Sequence, residues 1–224
     1  MTSAEVEPSP LLIIPLGATE QHGPHLPLDT DTRIATAWAE SVAKEVGSAR
    51  VAPALPYGSS GEHQSFPGTL SIGQQALHLV VVELVRSALH GADRVLLLSG
   101  HAGNVEPLES ATRLLCADGH DVRSVVPMIA GADAHAGRTE TSLMLAIAPE
   151  LVRLDQAEAG NTRALNELMS ELRDGGVSAV SANGVLGDPV GATPEEGRRL
   201  LSQLVSLALD TLALHPNALD SSGG

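Results

Sequence analysis

Glu20, His22, His25, Asp29 and Asp31 fall together in "GATEQHGPHLPLDTDT", residues 17–32. Imidazole and carboxylate groups, with Cys116 the only cysteine and no thiol cluster available, suit a borderline divalent ion such as Zn²⁺, Fe²⁺ or Mn²⁺. Glu20 and His22 are two apart, so in an extended segment they point the same way. Asp31, at the start of an expected helix, can bridge two metals. A two-metal site can activate a water and polarise a carbonyl.

Three more stretches have the same character. "YGSSGEHQSFPGT" holds Glu62 and His63, "SGHAGN" holds His101, and "GADAHAGRTETS" holds Asp133, His135 and Glu140. Each residue also has an ordinary reading. Asp31 fits a helix cap, Glu140 a first-turn acid facing the helix dipole, and Glu62 and His63 turn residues. His78, His90, His120 and His215 are read as solvated or hydrogen-bonded. There is no GxxxxGK[ST] or GxGxxG phosphate cradle, and Ser99, beside His101, lacks a GxSxG elbow.

What must position these groups is a set of short apolar runs alternating with amphipathic stretches. "LLIIPL" (11–16), "VAPALP" (51–56), "RVLLLSG" (94–100) and "DVRSVVPM" (121–128) read as strands. The third is apolar on both faces, as a central parallel strand should be. Ile34, Trp38 and Val42 recur at helical spacing within 32–46. Further helices are expected over 73–90 with Ser71 as cap, from Asn104 as cap to about Ala117, over 139–147 and 162–173, and from Thr193–Pro194 to about Leu214. The alternation predicts an α/β fold, a mostly parallel sheet flanked by helices. Every polar cluster then follows a strand. In open parallel sheets those loops share the carboxyl edge, where ligands bind.

The chain has 224 residues, a hydrophobic share of 43% and only 1% aromatics, so its core must be aliphatic. A formal net charge of −14 argues against nucleic acid or an anionic membrane as partner. Cysteine usage, the acidic polar start "MTSAEVEPSP" and the lack of a long apolar run lead to the expectation of a cytoplasmic protein. One domain over 11–214 is expected, between flexible tails at 1–10 and 215–224.

The quoted motifs, with "PLGATEQHGPHLPLDTD" the most distinctive, resemble those of the creatininase family of metal-dependent amidohydrolases, in the same order. The resemblance spans roughly residues 11 to 210. Within the family, "EAGNTRAL", "GGVSAVSANGVLGDPVGAT" and "EEGRRLL" look most like the peptidases of mycofactocin biosynthesis. The resemblance implies a creatininase-like single domain and two divalent ions per subunit, Zn²⁺ or Fe²⁺, with Mn²⁺ as a further option. Glu20, Asp31 and His101 would hold one ion. His22 and the shared Asp31 would hold the other, with Glu140 supplying the carboxylate that creatininase carries where Gly103 stands here. His135 matches the catalytic histidine, and Glu62 and His63 are candidates for binding substrate. Implied too are a homo-oligomer, commonly a hexamer, and a modified precursor peptide as substrate. A metal-activated water would attack the amide and release a C-terminal Val–Tyr-derived unit. The alternatives are an amidohydrolase acting on a small cyclic amide or formamide, and a non-catalytic metal-binding scaffold.

Overall fold

A computed structural model describes residues 2, 7–127, 129 and 131–213. Met128, Leu214, His215 and most of the expected tails therefore lie outside the described residues. The strands are β1 (Leu11–Leu16), β2 (Ala49–Val51), β3 (Val95–Ser99) and β4 (Val122–Val125). They form one parallel sheet in the order β2-β1-β3-β4. The main helices are α1 (Thr30–Val46), α2 (Gly73–Ala88), α3 (Val105–Ala117), α4 (Arg138–Ile147), α5 (Leu165–Gly175) and α6 (Pro194–Ala213). The expected architecture is thus the observed one.

β1 and β3 are central because their apolar side chains can be buried on both faces. On one face Ile13, Leu96 and Leu98 pack with α1, α4 and α6, and the Trp38 indole N–H donates to Leu204 O at 2.7 Å. On the other face Ile14, Leu16 and Leu97 pack with α2 and α3. Gly197 of α6 lets α4 come close, since a Cβ there would lie 1.9 Å from Ser142 O. That contact fixes the helix whose first turn carries Glu140.

The second strand is shorter than expected: it starts two residues earlier, at Ala49, and ends at Val51. Pro53 and Pro56 have no N–H to donate, so regular pairing stops at Val51 and only an isolated bridge joins Leu16 to Leu55. Pro15 is tolerated within β1 because it serves as an acceptor, taking Leu55 N at 3.0 Å beyond the end of β2. Two capping expectations divide. Thr193 Oγ1 accepts Glu196 N at 3.1 Å, as an N-cap should. Asn104 makes no cap bond to α3, and its side chain is used elsewhere.

Trp38→Ala should destabilise the protein by about 3–5 kcal/mol, because it empties the largest buried side chain of the sheet–helix core. Denaturant unfolding followed by circular dichroism checks this. A loss under about 1 kcal/mol, as expected for surface sites, would contradict the packing described.

Candidate metal centre

All four strand-end loops meet at the carboxyl edge. Two glycines make the approach possible. A Cβ at Gly17, just past β1, would lie 2.4 Å from the Thr32 backbone, and one at Gly100, just past β3, would lie 2.3 Å from Asp31 O. The N-terminus of α1 can therefore press against both central strand ends, which buries Asp31 between them. Asn104 then ties three loops together. Its Oδ1 accepts Ser59 N at 2.9 Å, and its Nδ2 donates to Gly17 O and Ser99 Oγ, both at 3.1 Å.

Glu20, His22, Asp31, His63, His101 and His135 are all buried. One donor from each of Glu20, Asp31 and His101 falls within a sphere suited to a single ion, and the same holds for His22, His135 and Glu140 and for Glu20, His63 and His135. Asp31 stands between two histidines, with Oδ1 3.1 Å from His22 Nε2 and Oδ2 3.4 Å from His101 Nδ1. Glu140 Oε2 lies 3.8 Å from the same His22 nitrogen. The five residues read as ligands are therefore brought together.

Hydrogen bonds settle which ring nitrogens face the cluster. His22 Nδ1 donates to Glu20 O at 3.1 Å, leaving Nε2 for Asp31 and Glu140. His101 Nε2 donates to Ser59 O at 3.0 Å, leaving Nδ1 toward Asp31. Gln21 orders the other two rings. Its Oε1 accepts Gly23 N at 3.0 Å, and its Nε2 donates to Gly184 O at 3.1 Å and to His63 Nδ1 at 2.8 Å. The remaining N–H of His63 then faces Glu20 Oε1 at 3.3 Å, so this ring orients Glu20 instead of offering it a lone pair. His135 Nε2 donates to Gln21 O at 2.7 Å, and its Nδ1 looks inward, 3.7 Å from Glu20 Oε1.

The site's electrostatics call for a cation. Among the described residues, no hydrogen bond reaches Glu20 Oε1, Glu20 Oε2 or Asp31 Oδ2. Among the same residues, the ion-pair partners of these two carboxylates are all histidines. Buried carboxylate oxygens met only by histidine rings, at distances or angles short of a good hydrogen bond, are costly, so a divalent ion fits this donor set. The proton affinities agree. Burial raises Glu20 to about 8, with His101 opposing, and burial raises Glu140 to about 7, with His22 opposing. Burial pulls His22 down, but Asp31, Glu140 and Glu20 together outweigh it and lift it to about 10. A proton on His22 thus occupies the place a metal would take. Burial, reinforced by charge on His22, keeps His135 well below the usual imidazole range. Burial and His101 take His63 down to about 3.

Glu62 and Gly103 are linked. Glu62 Oε1 is 3.7 Å from His101 Nε2, and a Cβ on Gly103 would come within 2.7 Å of that oxygen. The missing side chain at 103 is what leaves Glu62 room. Asp133 is less central: it accepts Thr139 N at 3.0 Å and caps α4. His25 Nε2 meets Thr141 Oγ1 at 2.9 Å, away from the cluster. Ala136 is the only non-glycine residue with positive φ among those described, at 53°, and its N–H reaches Glu140 Oε2 at 2.5 Å. The sequence reading missed Gln21, the stapling role of Asn104 and the pairing of His135 with Leu186, whose N–H reaches His135 O at 2.9 Å. The available signals were the "EQH" and "GHAGN" contexts and the glycine-punctuated "ANGVLGD".

These features have counterparts in known proteins. A mycofactocin precursor peptide peptidase of Mycobacterium ulcerans (strain Agy99) is 51% identical over 212 residues, covering 91% of this chain and 85% of its own. A crystal structure of creatinine amidohydrolase (creatininase) superposes with a TM-score of 0.77 at 28% identity, covering 93% of this chain and 91% of the other. A mutant creatininase described as of zinc–zinc type gives a TM-score of 0.76 at 30% identity, covering 92% and 91%. The family model for creatininase, creatinine amidohydrolase, matches residues 1–212. With this match over nearly the whole chain, and with the same fold beneath it, the protein belongs to the creatininase family.

Proposed function

We propose that this chain is a metal-dependent peptidase that cleaves an amide bond of a modified precursor peptide, releasing its C-terminal Val–Tyr-derived unit. The observation that carries the reading is the cavity over the His–carboxylate cluster. Its volume is about 680 Å³ and it is lined by Asp31, His101, His135 and Glu140 at the base and by Leu165 and Met169 of α5 above. That is far more room than one small ring needs, and among the described residues no Phe, Tyr or Trp lines it. The half-identical mycobacterial relative is named for the same kind of substrate. A small cyclic amide therefore fits less well, and a purely structural metal site would not need so large an opening.

Glu20, Asp31 and His101 would hold one ion, and His22, Asp31 and Glu140 the other. When bound, such ions would supply Lewis acidity to a carbonyl oxygen and a lowered pKa to a water. Zn²⁺ and Fe²⁺ suit this mixed nitrogen–oxygen set, as does Mn²⁺. Asp31, which stands between His22 and His101, would be common to both positions. His63 and Gln21 keep Glu20 and His135 in register. His135, neutral and with Nε2–H given to Gln21 O, presents Nδ1 as the base. That nitrogen takes a proton from the attacking water and passes it to the leaving amine. The buried walls exclude bulk water from this exchange. Glu62 stands at the cavity edge, where it can meet substrate. A cytoplasmic homo-oligomer belongs to the same reading: α2 leaves Leu79, Val80 and Leu84 exposed on its outer face, a surface suited to a second copy.

The direct test incubates the metal-loaded protein with modified precursor peptide, with creatinine and with a formamide. Cleavage of the peptide alone is expected; turnover of the small amides alone would overturn the reading. Metal binding should also release protons at pH 7, because Glu20, Glu140 and His22 hold protons that an ion must displace. Affinity should accordingly rise with pH between 6 and 8. Calorimetric titration in two buffers of different ionisation enthalpy reads this, and uptake or no net release would contradict it. Finally, Glu140→Gln should lose or greatly weaken one metal equivalent and lower kcat by at least about 100-fold. His135→Ala should keep both metals and lose at least about 100-fold in kcat. Elemental analysis with kinetics separates these outcomes from a dipole-only Glu140, which would leave both quantities unchanged, and from a ligating His135, which would lose metal.

A further inference from the structure

α5 has a face that the core does not use. Leu168 is buried against Val177 and Leu186. Leu165, Met169 and Arg173, at i, i+4 and i+8, line the cavity instead, and Leu172, which also packs against the Leu168 cluster, borders it. Among the described residues Arg173 is the only Lys or Arg in that lining, whose carboxylates are Asp31, Glu62, Asp133 and Glu140. Its side chain makes no hydrogen bond or ion pair among the described residues, although the protein carries a net charge of −14. Arg163, just before the same helix, is by contrast held by Glu171 at 3.1 Å. Three residues after Arg173, Gly176 lies with positive φ against Glu62 O, where a Cβ would come within 2.7 Å. The end of α5 that carries the guanidinium is thereby set beside the turn that holds Glu62.

We propose that Arg173 is the carboxylate anchor of the substrate site. Its guanidinium grips a carboxylate of the peptide while Leu165, Met169 and Leu172 cover an adjoining apolar side chain. The proposal rests on the peptidase reading above. The physical reason is that, with Asp31 and Glu140 committed to cations, Glu62 and Asp133 still face the opening, and an unpaired guanidinium beside them is the group placed to receive a carboxylate. A planar guanidinium does so with two parallel hydrogen bonds. The carboxylate has two possible sources: the chain terminus of the peptide, or an Asp or Glu side chain near the scissile bond. If Arg173 merely complemented the negative end of the α5 dipole, it would have no effect on substrate affinity.

Steady-state kinetics of the metal-loaded protein decides this with three peptides: the parent, its C-terminal amide, and a form with its acidic side chains changed to Asn or Gln. Arg173→Ala should raise KM for the parent peptide about tenfold, equal to ~1.4 kcal/mol, with kcat within about twofold. Arg173→Lys should recover part of the loss, and Arg163→Ala, a control for removing one positive charge, should change nothing. One of the two neutralised peptides should show the same KM penalty with the parent enzyme and no further penalty with Arg173→Ala, which names the source. Unchanged KM in Arg173→Ala, or equal KM for all three peptides with the parent enzyme, overturns the anchor while leaving the peptidase reading intact. Failure of the parent enzyme to cleave any of them removes the peptidase reading, and the anchor with it. Circular dichroism of each variant verifies that the fold is kept.

Discussion

The constraint on which the structure turns is the burial of Asp31 and Glu20 side by side with, among the described residues, no arginine or lysine paired to them. Two carboxylates in an apolar interior cannot both stay ionised without compensating charge. In the chain alone the compensation is a set of protons: His22 and His101 are driven to bind them more tightly, and Glu20 and Glu140 keep theirs up to neutral pH. Divalent cations would relieve the same imbalance by taking the place of those protons. Metal affinity and the site's proton affinity are thus two expressions of one electrostatic demand.

Backbone architecture meets that demand before any side chain does. The parallel sheet sends four chain segments to one edge, and Gly17 and Gly100 remove the atoms that would hold α1 away from it. Asn104 replaces a cap on its own helix with bonds to three loops, so the histidine-bearing turns after β2 and β3 share one rigid support. Gln21 plays the corresponding part for His63 and His135. Such neighbours decide which nitrogen carries the proton and hence which ring can ligate, which can act as base and which only orients.

Much of this was legible in the sequence. Period and run length reveal central strands such as β1 and β3, because burial on both faces leaves only apolar residues there. The placing of polar residues after strands reveals the shared edge. Residue type and order bring Glu20, His22, Asp31, His101 and Glu140 to one place, and the family match strengthens the metal reading. What was not legible depends on contacts between segments far apart in the chain. No local pattern tells that Asn104 staples loops instead of capping α3, or that Leu186 pairs with His135 across 51 residues. The early end of β2 was foreshadowed by Pro53 and Pro56, yet the apolar run between them masked it. α5 begins at Leu165 where a start at 162 was expected, because the Asn161 side chain accepts Arg163 N and donates to Val180 O, which holds the segment before the helix opens.

The central claim is that Asp31 is shared by two cations at the sheet edge. Anomalous diffraction from crystals of the metal-replete protein, collected at the absorption edge of the bound element, addresses it directly. Two peaks should flank the Asp31 carboxylate, one against Glu20 and His101 and the other against His22 and Glu140. No peak within ligand distance of Asp31, or a lone peak held by His63 and His135, would contradict the account.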